Sequence, residues 1–269
     1  MKNESKEVQR HSLIPWLILM IAGVALSVFC FILARNLVYS HKAKDLYDTM
    51  ADTYQFVEEP AEPAEEEEDI VPDDIRAIQI DYESLKEQNP DYVAWMIWRD
   101  AGVDLPVMFD VDSEGFYLHH LFDKSYNYAG CLVLSEACSR DFTSKQSIIF
   151  GHNMKNGSMF GYMNDLYWDP DGKINDPHFY INVDGKWKGY AIFAMESIPQ
   201  TSDLFRISDS NDDYDAYVQE ALSDAGLSFV NDETQALLER RCPIVVLSTC
   251  DGGEGAVNRL VTFGVETKP

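Results

Sequence analysis

Residues 13–33 carry no charged side chain, and an apolar run of twenty-one residues this near Met1 leaves few structural options. As an α-helix it would extend about 30 Å, at ~1.5 Å per residue, which matches the hydrocarbon core of a bilayer. A buried helix of a soluble domain seldom runs so long without a polar face. The run is also longer than the apolar core of a secretory leader, and no small-x-small cleavage site comes after it, so an uncleaved transmembrane anchor is expected. Cys30 falls inside that span. Lys2, Lys6 and Arg10 in residues 1–12 are matched by Arg35, Lys42 and Lys44 beyond the span. Loop charge therefore leaves orientation open. The strongly acidic remainder of the chain favours a cytoplasmic tail at residues 1–12 and a domain outside the cell membrane.

Residues 34–74 read as a juxtamembrane segment and linker. Residues 42–50 are expected to form a short helix. Between positions 45 and 74 there are thirteen Asp or Glu and no Lys or Arg, and Pro60, Pro63 and Pro72 interrupt them. Like charge and proline make a solvated, self-repelling spacer. Residues 75–269 are then the globular domain, with 31 acidic and 15 basic side chains in a chain of formal charge −25. Such a surface does not suit a phosphate backbone, so nucleic acid is not expected as a partner. The five cysteines, Cys30, Cys131, Cys138, Cys242 and Cys250, have neither disulfide-rich density nor a CxxC pair. The histidines show no HExxH spacing and no cluster with cysteine. No metal site and no cofactor is expected.

Within the domain the apolar pattern is short and alternating. IRAIQI at 75–80, YVAWMIW at 92–98, residues 105–109, CLVLS at 131–135 and SIIFG at 147–151 read as strands. FYINV and WKGYAIFAMESI flank Asp184-Gly185 and read as a hairpin. IVVLSTC at 244–250 and LVTFGVE at 260–266 are two further strands. Helical spacing is expected after Asp81, after Ser158 as a cap, and over 213–226. Many short strands, few helices and no βαβ alternation point to a mainly β fold, a barrel or sandwich with helical insertions.

The strand IVVLST delivers Cys250 to a rim, and the chain returns through Arg259. A half-exposed cysteine near a guanidinium is a candidate nucleophile, because the thiolate is the attacking form. A packed, inert cysteine is the alternative. Nucleophilic attack on an amide needs a proton donor for the leaving amine and a donor to the oxyanion. His152 follows the strand SIIFG as Cys250 follows IVVLST, so both can stand at one rim. His119 and His120 lie in YLHHLF, which reads as a packing element, and His178 opens a strand.

These residues resemble the sortases, and specifically class B. The resemblance is carried by IIFGHNMKNGSMFGYMNDLY, VVLSTCD and NRLVTFG, with YVAWMIWRDAGVDLPVM and YLHHLFDKSYNYAGCLVL upstream, in the order His, Cys, Arg. It covers about residues 75–266. VLSTC stands where the family usually has TLSTC, which changes no reacting group. Trp98 to Gly102 replaces a glycine-proline turn, which affects only a loop.

The resemblance implies an eight-stranded sortase-type β-barrel with peripheral helices and an N-terminal transmembrane helix. It also implies a cysteine transpeptidase that cleaves the C-terminal sorting signal of surface proteins and transfers the acyl group to an amine of the cell wall or of a pilin. Cys250 would be nucleophile, His152 general acid and then base, and Arg259 the oxyanion and substrate donor. Ser248, Thr249, Asp251 and Asn153 would be supporting or substrate-binding residues, and no calcium is implied. The expected partners are a sorting-signal peptide, a peptidoglycan-precursor or pilin amine, and the membrane. A surface cysteine hydrolase using water would need the same residues. A non-catalytic surface binding module would not need all three. An L,D-transpeptidase would show a compact HG…GC element, which this sequence lacks.

Overall fold

The computed structural model describes residues 14–57, 71–109, 115–207, 210–252 and 256–268. The chain falls into two units, dividing after Lys42. In the first unit, helix α1 (Ile14–Tyr54) begins with side chains that are exposed from position 14 to 38. Among the described residues it is the one helix long and apolar enough to cross a membrane. The expected tail and Leu13 lie outside the described residues.

The second unit starts at Ala43, upstream of the expected boundary at Ile75. The reason is a short stripe on α1: Ala43, Tyr47 and Met50, at spacings of four and three, are buried, and the Tyr47 hydroxyl donates to the Gly130 carbonyl at 2.6 Å. The acidic segment is therefore not linker throughout. Its first part completes α1 and then forms strand β1 (Gln55–Val57), which pairs with β2 (Ile78–Ile80). The Pro-containing part, residues 58–70, lies outside the described residues. IRAIQI is likewise only half strand. Pro72 and the acidic first turn start helix α2 (Asp73–Arg76), so the extended backbone begins at Ile78.

Helix α3 (Tyr82–Gln88) forms as expected, and Asp81 caps it, accepting from the Ser84 amide at 3.1 Å. Eight strands then close a barrel. They are β3 (Tyr92–Trp98), β4 (Val103–Met108), β5 (Leu132–Leu134), β6 (Gln146–Phe150), β7 (His178–Val183), β8 (Lys186–Pro199), β10 (Ile244–Cys250) and β11 (Asn258–Glu266). Their order is β11-β10-β6-β5-β4-β3-β7-β8, and β11 pairs with β8 to complete the ring, with β9 (Leu227–Ser228) attached outside β8. Closure removes the unpaired edges that an open sheet of this size would expose. The Asp184-Gly185 turn has φ of 51° and 77°, the left-handed pair that a two-residue hairpin requires.

The larger apolar core includes Trp95, Trp98, Tyr92 and Phe179. A second apolar layer covers the outer face of β8, β10 and β11 with helices α5 (Asn211–Ser223) and α6 (Asp232–Glu239), through Tyr214, Tyr217, Ala221, Leu237 and Leu238. Two helical details differ from expectation. Helix α4 (Gly161–Trp168) starts at Phe160 without a side-chain cap, because the Ser158 hydroxyl donates instead to Asn156 Oδ1 at 2.8 Å. Helix α6 was not expected at all. Its signal was Asn231, whose side chain accepts from the Thr234 amide while Thr234 accepts from the Asn231 amide.

Candidate active site

Strand alternation decides which residues of β10 can meet a substrate. Ile244, Val246, Ser248 and Cys250 share the outer face, and Val245, Leu247 and Thr249 point to the interior. In the antiparallel register Cys250 opposes Arg259, and Arg259 in turn opposes Ile198 on β8. Directly opposed residues project to the same face, so the Cys250 thiol and the Arg259 guanidinium share the outer surface at the rim.

His152 reaches the same level from the other side. Strands β6 and β10 run parallel with Phe150 level with Ser248, and the ladder extends one bond further, from the Gly151 amide to the Ser248 carbonyl at 3.1 Å. Two residues on along both chains are His152 and Cys250. His152 thus follows the end of β6 beside the strand that carries Cys250, and Arg259 lies opposite Cys250 on β11.

The histidine is held from behind. Its Nε2 lies 2.8 Å from the Leu118 carbonyl, and since a carbonyl only accepts, Nε2 carries the hydrogen. In neutral His152 the free lone pair is therefore on Nδ1. Burial lowers its proton affinity below the ordinary histidine range; the Leu118 bond offsets part of this, and the nearby His119 lowers it further. The two rings are 5.4 Å apart. Sequence reasoning set His119 aside as packing and missed Leu118 altogether. His120 does pack, stacked on Phe116 at 3.8 Å.

Arg259 Nη1 donates to the Ala256 carbonyl at 3.1 Å and Nη2 to Gln200 Oε1 at 3.4 Å. Among the described residues no carboxylate pairs with it. Asn153 donates from Nδ2 to the carbonyls of Cys250 at 2.9 Å and Gly252 at 2.8 Å. Asp251 accepts from Trp168 Nε1 at 3.2 Å and from the Ser197 hydroxyl, so it anchors the turn after Cys250 to α4 and β8. Ser248 shares the Cys250 face but is 1% exposed, its hydroxyl without a partner. An odd step along β10 puts Thr249, which is buried, on the face opposite Cys250. The described residues hold no group of three or more metal-ligating side chains. A cavity of about 400 Å³ lies between α1 and the Phe122-Asp123 segment, and the three rim residues do not line it.

The closed eight-stranded barrel, with Cys250 opposite Arg259 at its rim, is a sortase-type fold. No family model matches the chain. Sortase B of Listeria monocytogenes is 27% identical over 170 residues, which is 62% of this chain and 65% of that protein, a little under two thirds of its length. The solved structure of sortase B from Listeria monocytogenes has a TM-score of 0.55 at 27% identity, covering 68% of this chain and 98% of that one. Clostridium perfringens sortase B has a TM-score of 0.61 at 24% identity, covering 69% and 99%. Sortase B from B. anthracis, in a complex with AAEK1, has a TM-score of 0.66 at 17% identity, covering 87% and 100%. In sequence and in fold the chain is similar to class B sortases.

Proposed function

We propose that this protein is a membrane-anchored cysteine transpeptidase, which cleaves the sorting signal of surface proteins and passes the acyl group to an amine of the cell wall or a pilin. The observation that carries the reading is that Cys250 stands opposite Arg259 on β10 and β11, with His152 two residues past the end of the neighbouring parallel strand β6.

The chemistry assigns the roles. As Cys250 Sγ bonds to the scissile carbonyl carbon, its proton passes to His152 Nδ1, and the carbonyl π electrons move to oxygen. Arg259 N–H groups stabilise that oxyanion. When the tetrahedral adduct collapses, the C–N bond breaks and the Nδ1 proton goes to the departing amine, leaving a thioester. An incoming amine attacks the thioester and gives a proton back to Nδ1, and the sulfur leaves. Lowered proton affinity suits this cycle, because a neutral imidazole accepts the first proton.

The test is peptide cleavage with and without an added amine. Amide product formed only with the amine supports transfer, whereas equal turnover with water as the sole acceptor makes the protein a hydrolase. Cys250→Ala should abolish both. Thiol reagents should modify half-buried Cys250 ahead of Cys131, Cys138 and Cys242, which are all buried. Burial pushes the Cys131 thiol up to about 12.

The apolar part of α1 is the proposed anchor, with the domain outside. Protease added to intact cells should then cut the chain within residues 58–70. Protection until lysis would reverse the orientation.

A further inference from the structure

The β6–β10 ladder ends in an unusual way. Its last main-chain bond is Gly151 amide to Ser248 carbonyl, at 3.1 Å. In a parallel ladder the next bond from the same strand comes two residues later, from the amide of 153 to the carbonyl of 250. Here the main chain has already turned away: Asn153 forms an antiparallel bridge with Met159, and the Phe160 amide donates to the His152 carbonyl at 3.0 Å. The missing rung is supplied by a side chain instead. Asn153 Nδ2 lies 2.9 Å from the Cys250 carbonyl and 2.8 Å from that of Gly252. One amide nitrogen has two hydrogens, enough for both acceptors. Asn164 adds a longer contact to the Cys250 carbonyl at 3.3 Å.

We propose that Asn153 is a positioning residue, whose carboxamide continues the β6–β10 ladder in place of the main chain and so keeps Cys250 level with His152. This rests on the reading of Cys250 as nucleophile and His152 as its proton partner. The peptide bond between 152 and 153 carries the histidine, and the side chain of 153 grips the nucleophile's own carbonyl. A single residue thereby joins the two reacting groups across strands that have begun to diverge. Losing the grip lets Cys250 and the turn after it drift relative to His152, and sub-ångström to ångström misplacement of reacting groups is costly in rate.

The experiment uses the full-length chain in detergent, with a sorting-signal peptide and an amine acceptor, and compares wild type, Cys250→Ala, Asn153→Ala, Asn153→Asp and Asn153→Gln. Wild-type turnover that is absent in Cys250→Ala establishes the underlying reading; turnover retained in Cys250→Ala refutes that reading and, with it, the role given to Asn153. Asn153→Ala should lower kcat by roughly tenfold to a hundredfold with KM little changed. Asn153→Asp is nearly isosteric but accepts where it must donate, so it should fall below alanine. Asn153→Gln, which keeps the donors on a longer arm, should recover part of the rate. Thermal midpoints of all variants are read by circular dichroism, and rates are compared per folded enzyme. A loss confined to KM, or an aspartate variant equal to wild type, overturns the proposal. If the alanine variant does not fold, the order of Gln above Asp in kcat still decides it.

Discussion

Cys250 and Arg259 stand directly opposite one another on β10 and β11. Their shared face is set by the hairpin register, and the guanidinium is further fixed by Ala256 and Gln200. Arg259→Lys keeps a charge at that point but loses the planar fork of donors. If the fork holds an oxyanion, kcat/KM for peptide cleavage should fall about a hundredfold or more, the scale seen when one oxyanion donor is lost. Near-normal turnover would reduce Arg259 to a source of charge.

A second prediction concerns the support behind His152. Gly130 has φ of 59°, and a Cβ there would come 2.3 Å from the Leu118 carbonyl oxygen, the acceptor of His152 Nε2. Gly130→Ala must therefore move main chain. The left-handed backbone alone costs a non-glycine residue on the order of 1–3 kcal/mol. The expected outcome is a lower denaturant midpoint together with a fall in kcat. A variant with full activity and an unchanged midpoint would show that the Leu118 contact is dispensable.

The barrel strands and the Cys250–Arg259 pair were legible because they are local: an apolar alternating run, a short acidic and glycine-containing turn, and a second run. His152 could be placed at the same rim from the strand before it, but its partner could not. Leu118 arrives from a distant segment, and main-chain carbonyls leave no mark on composition. YLHHLF contains two histidines with different neighbours, His120 on Phe116 and His119 beside His152, and only the fold separates them. Thr249 was readable in principle, since strand period alone sets it opposite Ser248. The Ala43–Met50 stripe was hidden beside the far stronger apolar signal upstream of it.

Glu196 yields a prediction about stability. It lies on the same outer face, level with Val261 and, one strand further, Ser248. Its Oε2 is buried without a partner. Burial first, then Asp224 and Glu220 on and after α5, push its carboxyl up to about 7. An acid whose folded pKa is raised binds more protons folded than unfolded, so its contribution is complete below the unfolded value of 4.5 and is lost as pH rises through about 7. Glu196→Gln should therefore raise the thermal midpoint at pH 8 relative to wild type, and change it little at pH 4.5. Part of the group is open to water, which reduces the size of the gain without changing its sign. An equal shift at both pH values would indicate a packing effect instead.

The last prediction joins His119 to the pH profile. His152 has its proton affinity lowered by burial, with Leu118 acting in the opposite sense and His119 adding to the lowering. The proposed cycle begins with neutral His152, so activity should decline on the acid side as His152 takes up a proton, at a pH below the 6.5 of an ordinary histidine. His119→Gln removes the neighbouring imidazole that lowers the proton affinity of His152 and should let His152 protonate at higher pH, moving the acid limb of kcat/KM upward. Stability follows the same sign. Between the lowered folded value and 6.5 the unfolded chain binds more protons, so the contribution of His152 is present above 6.5 and is lost as pH falls through the folded value. In His119→Gln that window narrows, and the thermal midpoint should fall less between pH 7 and pH 5 than in wild type. An acid limb that stays in place would mean that His119 exerts no field on His152, and a limb that moves downward would contradict the electrostatic account of their contact.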